Sequence, residues 1–389
     1  MLLKFFLTCN KIGAFTLGGG YAMIPVMERE YVDKNHWLDR EEFMDIMVVA
    51  QTTPGIFSID MASHIGYKLR GVWGGIVGAL GIALPSIIAI LLIAIFFHNF
   101  KDNVYVEKFF RGVRPAVVAL IAAPCFKMAR TAHITWSTCW IPVVSCLLIA
   151  AFSVSPIWII IVAGLAGYIY GRVKKSSTFQ QSSSPSLSPN RQIIKEFKMM
   201  IFLKLFYVFS KIGIFNFGGG YAMLSLIYSE TVVKNHWLSN AEFTDIVAIS
   251  QSTPGPIGIN AATYVGYTSV INAGYPVWAA VLGSVLASLS IMWLSFILMI
   301  SISHYLLTHK DAPWVKHVFA ALRPAIIGLI AAAALLLMNK ENFGTPGQSV
   351  PYFILSVALC VAVFVATLRY KVNPILALLV CGIVGLVAY

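Results

Sequence analysis

The chain has 389 residues, of which 58% are hydrophobic and only 11% charged, with a formal net charge of +12. So little polar surface cannot coat a water-soluble protein of this size, and its apolar stretches of about 17 to 25 residues match helices crossing a bilayer, not the shorter alternating strands of a barrel. The excess Lys and Arg lie in loops and at helix ends, where membrane topology accounts for them, so a nucleic-acid partner is not expected.

The first apolar segment runs from about Leu2 to Met27 and contains Lys11-Ile-Gly-Ala-Phe-Thr-Leu-Gly-Gly-Gly-Tyr-Ala-Met23. Lys11 and the glycine run argue against a cleaved signal peptide, and Gly18, Gly19 and Gly20 predict a break or distortion of the helix. A polar loop with Glu28, Arg29, Glu30, Asp33, Lys34 and His36 is expected next. Asp39-Arg40-Glu41-Glu42 reads as a capped helix start, and the helix should run to about Gln51. Thr52-Thr53-Pro54-Gly55 ends it, and a second short helix is expected from Ile56 to about Leu69. Each arm is too short to cross a bilayer, so a re-entrant hairpin is the economical prediction. Spans follow at roughly Val72 to Phe97, Val113 to Met128, Ile141 to Val154 and Pro156 to Tyr170. The Ser- and Pro-rich stretch 174–192 reads as a flexible linker between repeats at 1–173 and 193–389.

The second repeat replays the first. Lys211-Ile-Gly-Ile-Phe-Asn-Phe-Gly-Gly-Gly-Tyr-Ala-Met223 matches the first motif at ten of 13 positions, offset by 200 residues. The loop Lys234 to Leu238, the acids Glu242 and Asp245, and Gln251-Ser252-Thr253-Pro254-Gly255-Pro256 keep that offset. Arg114-Pro115-Ala116 recurs as Arg323-Pro324-Ala325 after a nine-residue insertion. Spans are expected at roughly Pro276 to Ser301, Ile326 to Met338, Phe353 to Leu368 and Pro374 to Val387. Equivalent loops carry opposite basic bias: Lys127 and Arg130 face a neutral Lys340-Glu341, and the uncharged 153–156 faces Arg369 and Lys371. That pattern predicts opposite orientation of the halves. The expected fold is an all-α polytopic membrane protein of two inverted-topology repeats, each with about five spanning helices and one re-entrant hairpin.

Inverted repeats with broken helices are the recurring build of secondary transporters, whose sites lie where half-helix ends meet. An interrupted helix exposes unpaired N–H groups at a positive dipole end, which suits an anion. Gly18, Gly19, Gly20, Gly218, Gly219 and Gly220, the turns Pro54-Gly55 and Pro254-Gly255-Pro256, and the donors Gln51, Thr53, Gln251 and Thr253 are therefore candidate substrate-binding residues. The bland account of the glycines is close helix packing. Lys11 and Lys211 lie inside an apolar segment, which costs on the order of 3 kcal/mol unless they snorkel or pair, and either could face an oxyanion. Arg114 and Arg323 suit an oxyanion or a headgroup at the start of a span. Asp60 stands where the repeat has Asn260, so it reads either as a solvated hairpin acid or as a proton-coupling residue; Asp45 and Asp245 are further proton-relay candidates or interfacial caps.

Catalytic signatures are missing: there is no Gly-x-Ser-x-Gly, His-Glu-x-x-His or Walker loop, so an enzyme is not expected. His36 and His236 read as structural. The six cysteines read as small hydrophobes with no Cys-x-x-Cys spacing. No metal or cofactor is expected.

The duplicated Phe-x-x-Gly-Gly-Gly-Tyr-Ala-Met, the Gln-x-Thr-Pro-Gly-Pro turn complete at Gln251 to Pro256, and the Arg-Pro-Ala segments resemble the chromate ion transporter family over nearly the whole chain outside the linker. The resemblance implies a bidomain transporter of the cell inner (plasma) membrane, with oppositely oriented halves. It would export chromate, with sulfate as a competitor, by proton antiport or under the membrane potential. The partners it implies are an inorganic oxyanion and the lipid bilayer, with a homodimer compatible. The sequence departs from the family in reading Pro54-Gly55-Ile56 for Pro-Gly-Pro, and in lacking the Gly-Gly-Pro and following His found in many members. The competing class is a membrane scaffold or sensor, which has no use for repeated breaks at membrane depth.

Overall fold

The computed structural model describes residues 1–16, 23–100, 103–131, 138–152, 154–173, 200–216, 220–309, 313–347, 349–370 and 372–389. The first half contains α1 (Leu2–Phe15), α2 (Ile24–Glu28), α3 (Arg40–Thr52), α4 (Phe57–Phe100), α5 (Val104–Thr131), α6 (Trp140–Ala150) and α7 (Pro156–Val173). The second contains α8 (Met200–Ile214), α9 (Gly220–Tyr228), α10 (Asn240–Ser252), α11 (Ile257–Asn272), α12 (Val277–His309), α13 (Pro313–Leu337), α14 (Lys340–Phe343), α15 (Val350–Arg369) and α16 (Pro374–Ala388). Among the described residues four stretches are long and apolar enough to cross a membrane, Phe57–Phe97, Val104–Phe126, Val277–Ser301 and Val350–Arg369.

The hairpins form where the sequence places them. Asp39 and Ser239 each accept from the backbone of a glutamate three residues on, Glu42 or Glu242, whose carboxylate reaches back, so both first arms start on a capping box. α3 and α10 are 13 residues each, about 20 Å, too short to cross a bilayer alone. α4 departs from helical geometry at Arg70 and Gly71, which divides it into a short arm at 57–69 and a long helix at 72–100. In the second half the same division is the open turn between α11 and α12, and this is where the nine extra residues fall.

Small residues let each short arm lie against the long helix that follows it. A Cβ built on Gly66 would sit 2.5 Å from the carbonyl carbon of Gly74, and one on Gly266 2.5 Å from the carbonyl oxygen of Gly283. Such close approach is how helices gain packing energy in lipid, which supplies no hydrophobic drive between them. Along α11, Thr263 meets Ser288 and Ser284, while Val270 meets Gly283, so α11 and α12 run antiparallel. On its other side, Ser86 reaches Asn260 and Phe97 packs on Tyr264, so the long helix 72–100 runs parallel to α11. The two equivalent long helices therefore run in opposite directions, the relationship that the loop charges predicted.

The halves are interlocked. α5 packs on α15 and α16, and α13 packs on α6 and α7, so each half's Arg-Pro-Ala helix lies in the terminal helix pair of the other. Gly112 meets Gly385 so closely that an added Cβ would lie 2.7 Å from its Cα, and one on Gly328 would lie 2.6 Å from Cβ of Ser145.

Three expectations need correction. The polar loop at 28–36 is largely helical: α2 and α9 continue as π-helical turns, Arg29–Lys34 and Ser229–Lys234, with Glu30, Tyr31 and Glu230 buried in them. Tyr31 is held by Cys9 Sγ at 3.1 Å and by Phe5 and Trp37, so a polar-looking segment carries its own apolar face. α5 and α13 begin at Val104 and Pro313, so Arg114 and Arg323 lie inside helices instead of at their starts, with Pro115 and Pro324 tolerated in the interior. Asp60 is not a solvated hairpin acid, because it is only 1% exposed.

Candidate functional site

Each Pro-Gly turn closes on the broken helix of the other half. The Gly55 amide donates to the carbonyl of Asn216 at 2.8 Å, and the Gly255 amide donates to the carbonyl of Thr16 at 3.0 Å. Asn216 and Thr16 occupy the same place in the repeated motif, just past the ends of α8 and α1, and Ile56 Cδ1 would lie 3.6 Å from a Cβ on Gly258, so the two turns and these two helix ends meet in one region. Gly18, Gly19, Gly20, Gly218 and Gly219 themselves lie outside the described residues, and Gly220 opens α9. Both turns need glycine: Gly55 has φ +149° and Gly255 φ +102°, values that side-chain-bearing residues avoid.

The turns are also the starts of half-helices. The arm 57–69 and α11 begin two residues past Gly55 and Gly255, so both present first-turn amides and a positive dipole end to this region. Thr53 and Thr253 close the preceding arms by donating to the carbonyls of Val49 at 2.9 Å and Ile249 at 2.6 Å. Pro54 and Pro254 follow them, Pro256 caps α11, and Gln51 and Gln251 end α3 and α10. Gln251 is buried with neither amide atom hydrogen-bonded.

Asn260 and Asp60 sit just inside these helix starts. Asn260 Nδ2 donates to the carbonyls of Ser250 at 3.1 Å and Pro254 at 3.2 Å, and its Oδ1 accepts from the Ser86 hydroxyl. Asp60 packs against Gly55, where an added Cβ would lie 2.7 Å from Oδ1, and among the described residues neither carboxylate oxygen has a hydrogen-bond partner.

Lys11 and Lys211, expected as cations for an oxyanion, are held by glutamates of the π-helical turns. Lys11 meets Glu30 at 3.1 Å and Lys211 meets Glu230 at 2.6 Å; Lys34 and Lys234 add second contacts at 3.0 and 2.6 Å. Each cluster has two lysines on one glutamate and so keeps a net positive charge. Burial would raise the Glu30 carboxyl, but hydrogen bonds from Lys34 and Lys11 outweigh it and leave the group below its usual range.

Of the candidate acids, Asp45 is half-buried on α3, while Asp245 is gripped by Arg114 in a bidentate pair at 2.8 and 2.9 Å. This pair borders a cavity of about 230 Å³ that Glu107, Glu242, Phe97 and Tyr264 also line. Arg323, the repeat of Arg114, is exposed. Among the described residues no group of three His, Cys, Asp or Glu could hold a metal ion.

Two broken-helix repeats that close on one another call for comparison with known carriers. The model of the family described as Chromate transporter matches residues 3–168 and, again, residues 203–386. The chain belongs to the chromate transporter family. It is similar to a chromate transport protein of Cupriavidus metallidurans, 23% identical over 397 residues that cover 100% of this chain and 92% of that protein. An uncharacterised transporter of Methanocaldococcus jannaschii is 26% identical over 402 residues, covering 98% and 93%. An uncharacterised transporter of Bacillus subtilis, YwrA, aligns over 186 residues at 25% identity, 48% of this chain but 96% of its own length, so one repeat matches a whole protein. No solved structure matches the chain.

As a chromate transporter family member the protein is a multi-pass membrane transporter and not an enzyme. Sequence reasoning missed the residues that join its halves. Thr16 and Asn216 were legible only as one of the three mismatched positions inside the repeated motif. Ser86 carried no signal, because its role depends on a long helix of one half passing the turn of the other.

Proposed function

We propose that this transporter exports an inorganic oxyanion, chromate with sulfate as the competing substrate, across the inner membrane through the region where the two turns meet the two breaks. The observation that carries this reading is the crossed pair of hydrogen bonds, Gly55 to Asn216 and Gly255 to Thr16. They bring two half-helix N-termini into one region, and two partial positive ends facing one site suit a dianion. Gln51, Thr53, Pro54 and Gly55 with Gly218 to Gly220 would form one wall, and Gln251, Thr253, Pro254, Gly255 and Pro256 with Gly18 to Gly20 the other. Lys11 and Lys211, with their net positive clusters, would draw anions toward it. Outward movement of a dianion gains about 4.6 kcal/mol per 100 mV of inside-negative potential, so export has a driving force even without a coupled ion.

Radiolabelled chromate and sulfate uptake into inverted vesicles tests the reading. Saturable chromate uptake that sulfate inhibits is expected. No saturable flux of either anion, with or without an imposed potential, would overturn it.

A further inference from the structure

The two buried side chains that touch Gly55 hold three acceptor oxygens with no donor among the described residues. Asp60 Oδ1 and Oδ2 and Asn216 Oδ1 are all without hydrogen-bond partners, and both side chains touch Gly55: Asp60 through its carboxylate, Asn216 through an Nδ2 that donates to the Gly55 carbonyl. Asp60 is 1% exposed and Asn216 0%, so water does not compensate them. A full negative charge left so is among the most expensive arrangements a protein can hold.

The second half shows what this frame requires. The two arms start alike, with Asp60 N donating to Ile56 O at 2.9 Å and Asn260 N to Pro256 O at 3.0 Å. In that frame the Asn260 amide puts its hydrogens onto the carbonyls at the end of α10, where the helix dipole is negative. Asp60, the equivalent residue of the first half, has no such hydrogen to give to the matching end of α3. Ser86 supplies a hydroxyl to Asn260, but its repeat Ser295 donates to Gly213 and Ile291 instead. The first half therefore lacks hydrogen-bond donors at a place where the second half carries them on Asn260.

We propose that Asp60, Asn216 Oδ1 and the carbonyl end of α3 form a sodium site, present in the first half alone. The donors are all hard oxygens, with no His or Cys, which suits an alkali ion and not a transition metal. One carboxylate balances one positive charge, so a divalent ion would leave the site charged. A single proton would serve one of the three oxygens, whereas a sodium ion takes several oxygen ligands at once, and carbonyls at half-helix C-terminal ends are the usual partners of sodium in carriers built from inverted repeats. Coupling of this ion to flux rests on the oxyanion-carrier reading; binding of the ion does not.

The test uses the full chain, purified in detergent, with radiolabelled sodium binding and thermal stability measured in sodium chloride against choline chloride at equal ionic strength. Saturable sodium binding and selective stabilisation by sodium are expected. Asp60→Asn should abolish both and still fold, because Asn260 shows that an amide fits this frame. Asn216→Thr, which installs the residue of the other half, should weaken sodium binding about tenfold. In proteoliposomes, oxyanion flux should depend on sodium in the native protein and lose that dependence in Asp60→Asn. No sodium binding in the native protein, unchanged binding in folded Asp60→Asn, or flux driven by a pH gradient alone would each overturn the site. Sodium binding without any oxyanion flux would support it and overturn the carrier reading instead.

Discussion

Arg114 of the first half and Asp245 of the second are joined by two parallel hydrogen bonds, Nε to Oδ1 at 2.8 Å and Nη2 to Oδ2 at 2.9 Å, across 131 residues of sequence. The fork geometry is one that only arginine offers a carboxylate. Both side chains are largely buried, at 14% and 12% exposure, so each depends on the other for its solvation. Arg114→Ala should cost about 3 kcal/mol, because it leaves the Asp245 carboxylate buried without a counter-charge. Thermal unfolding of the two single alanine variants and of the double variant checks this. The double should be less damaged than the sum of the singles; strict additivity would show that the pair is not coupled.

Gly255 is confined by Ser86, whose Cβ would lie 2.6 Å from a Cβ added at the turn. Gly255→Ala therefore combines a positive-φ penalty of about 1 kcal/mol or more with a clash against the other half. Transport should fall sharply while expression persists. Ser86→Gly in the same chain removes the clash but not the strain, so partial recovery of flux is expected. No recovery would mean that the backbone conformation alone makes the glycine necessary.

Interlocking predicts how the halves behave apart. α5 needs α15 and α16, and α13 needs α6 and α7, so residues 1–173 expressed alone leave large packing faces open to lipid. Neither half should accumulate in the membrane by itself. Co-expressed halves, with 174–192 deleted, should copurify and transport, since the described helices already join them through α5 and α13. Stable accumulation of one half as a monomer would contradict the interlocked packing.

Acid should loosen the cluster around Glu30. Its carboxyl is held below the ordinary 4.5, so the folded state gains from the charged form at higher pH. That contribution is complete above the unfolded value and is lost as pH falls through the lower folded one. Unfolding temperature should therefore drop in that acid window for the native protein, and by a smaller amount for Glu30→Gln. Equal pH profiles for the two would remove Glu30 from the account.

Much of this architecture was legible because its signals are local or repeated. Apolar length set the class, Asp39 with Glu42 and Ser239 with Glu242 marked the arm starts, and Pro-Gly marked their ends. Composition misled where polarity and burial part company: Glu28 to His36 looks like a loop, yet Glu30 is buried by pairing with two lysines and Tyr31 by aromatic neighbours. Asp60 stayed open between a solvated acid and a proton-coupling residue for the same reason, since nothing along the chain announces that a lone carboxylate will be shut away.

The sequence alone determined the repeats, their helical hairpins and the opposite sense of the halves, because capping, proline, glycine and loop charge act within a few residues of where they stand. Only the tertiary structure decided which turn meets which break. Each motif carries its own Pro-Gly turn and its own glycine run, and chain order pairs them within a half; packing pairs them across halves, Gly55 with Asn216 and Gly255 with Thr16. The reason is physical: each short arm ends on a turn whose backbone groups its own helix does not satisfy, and the Gly55 and Gly255 amides find their partners in the opposite half.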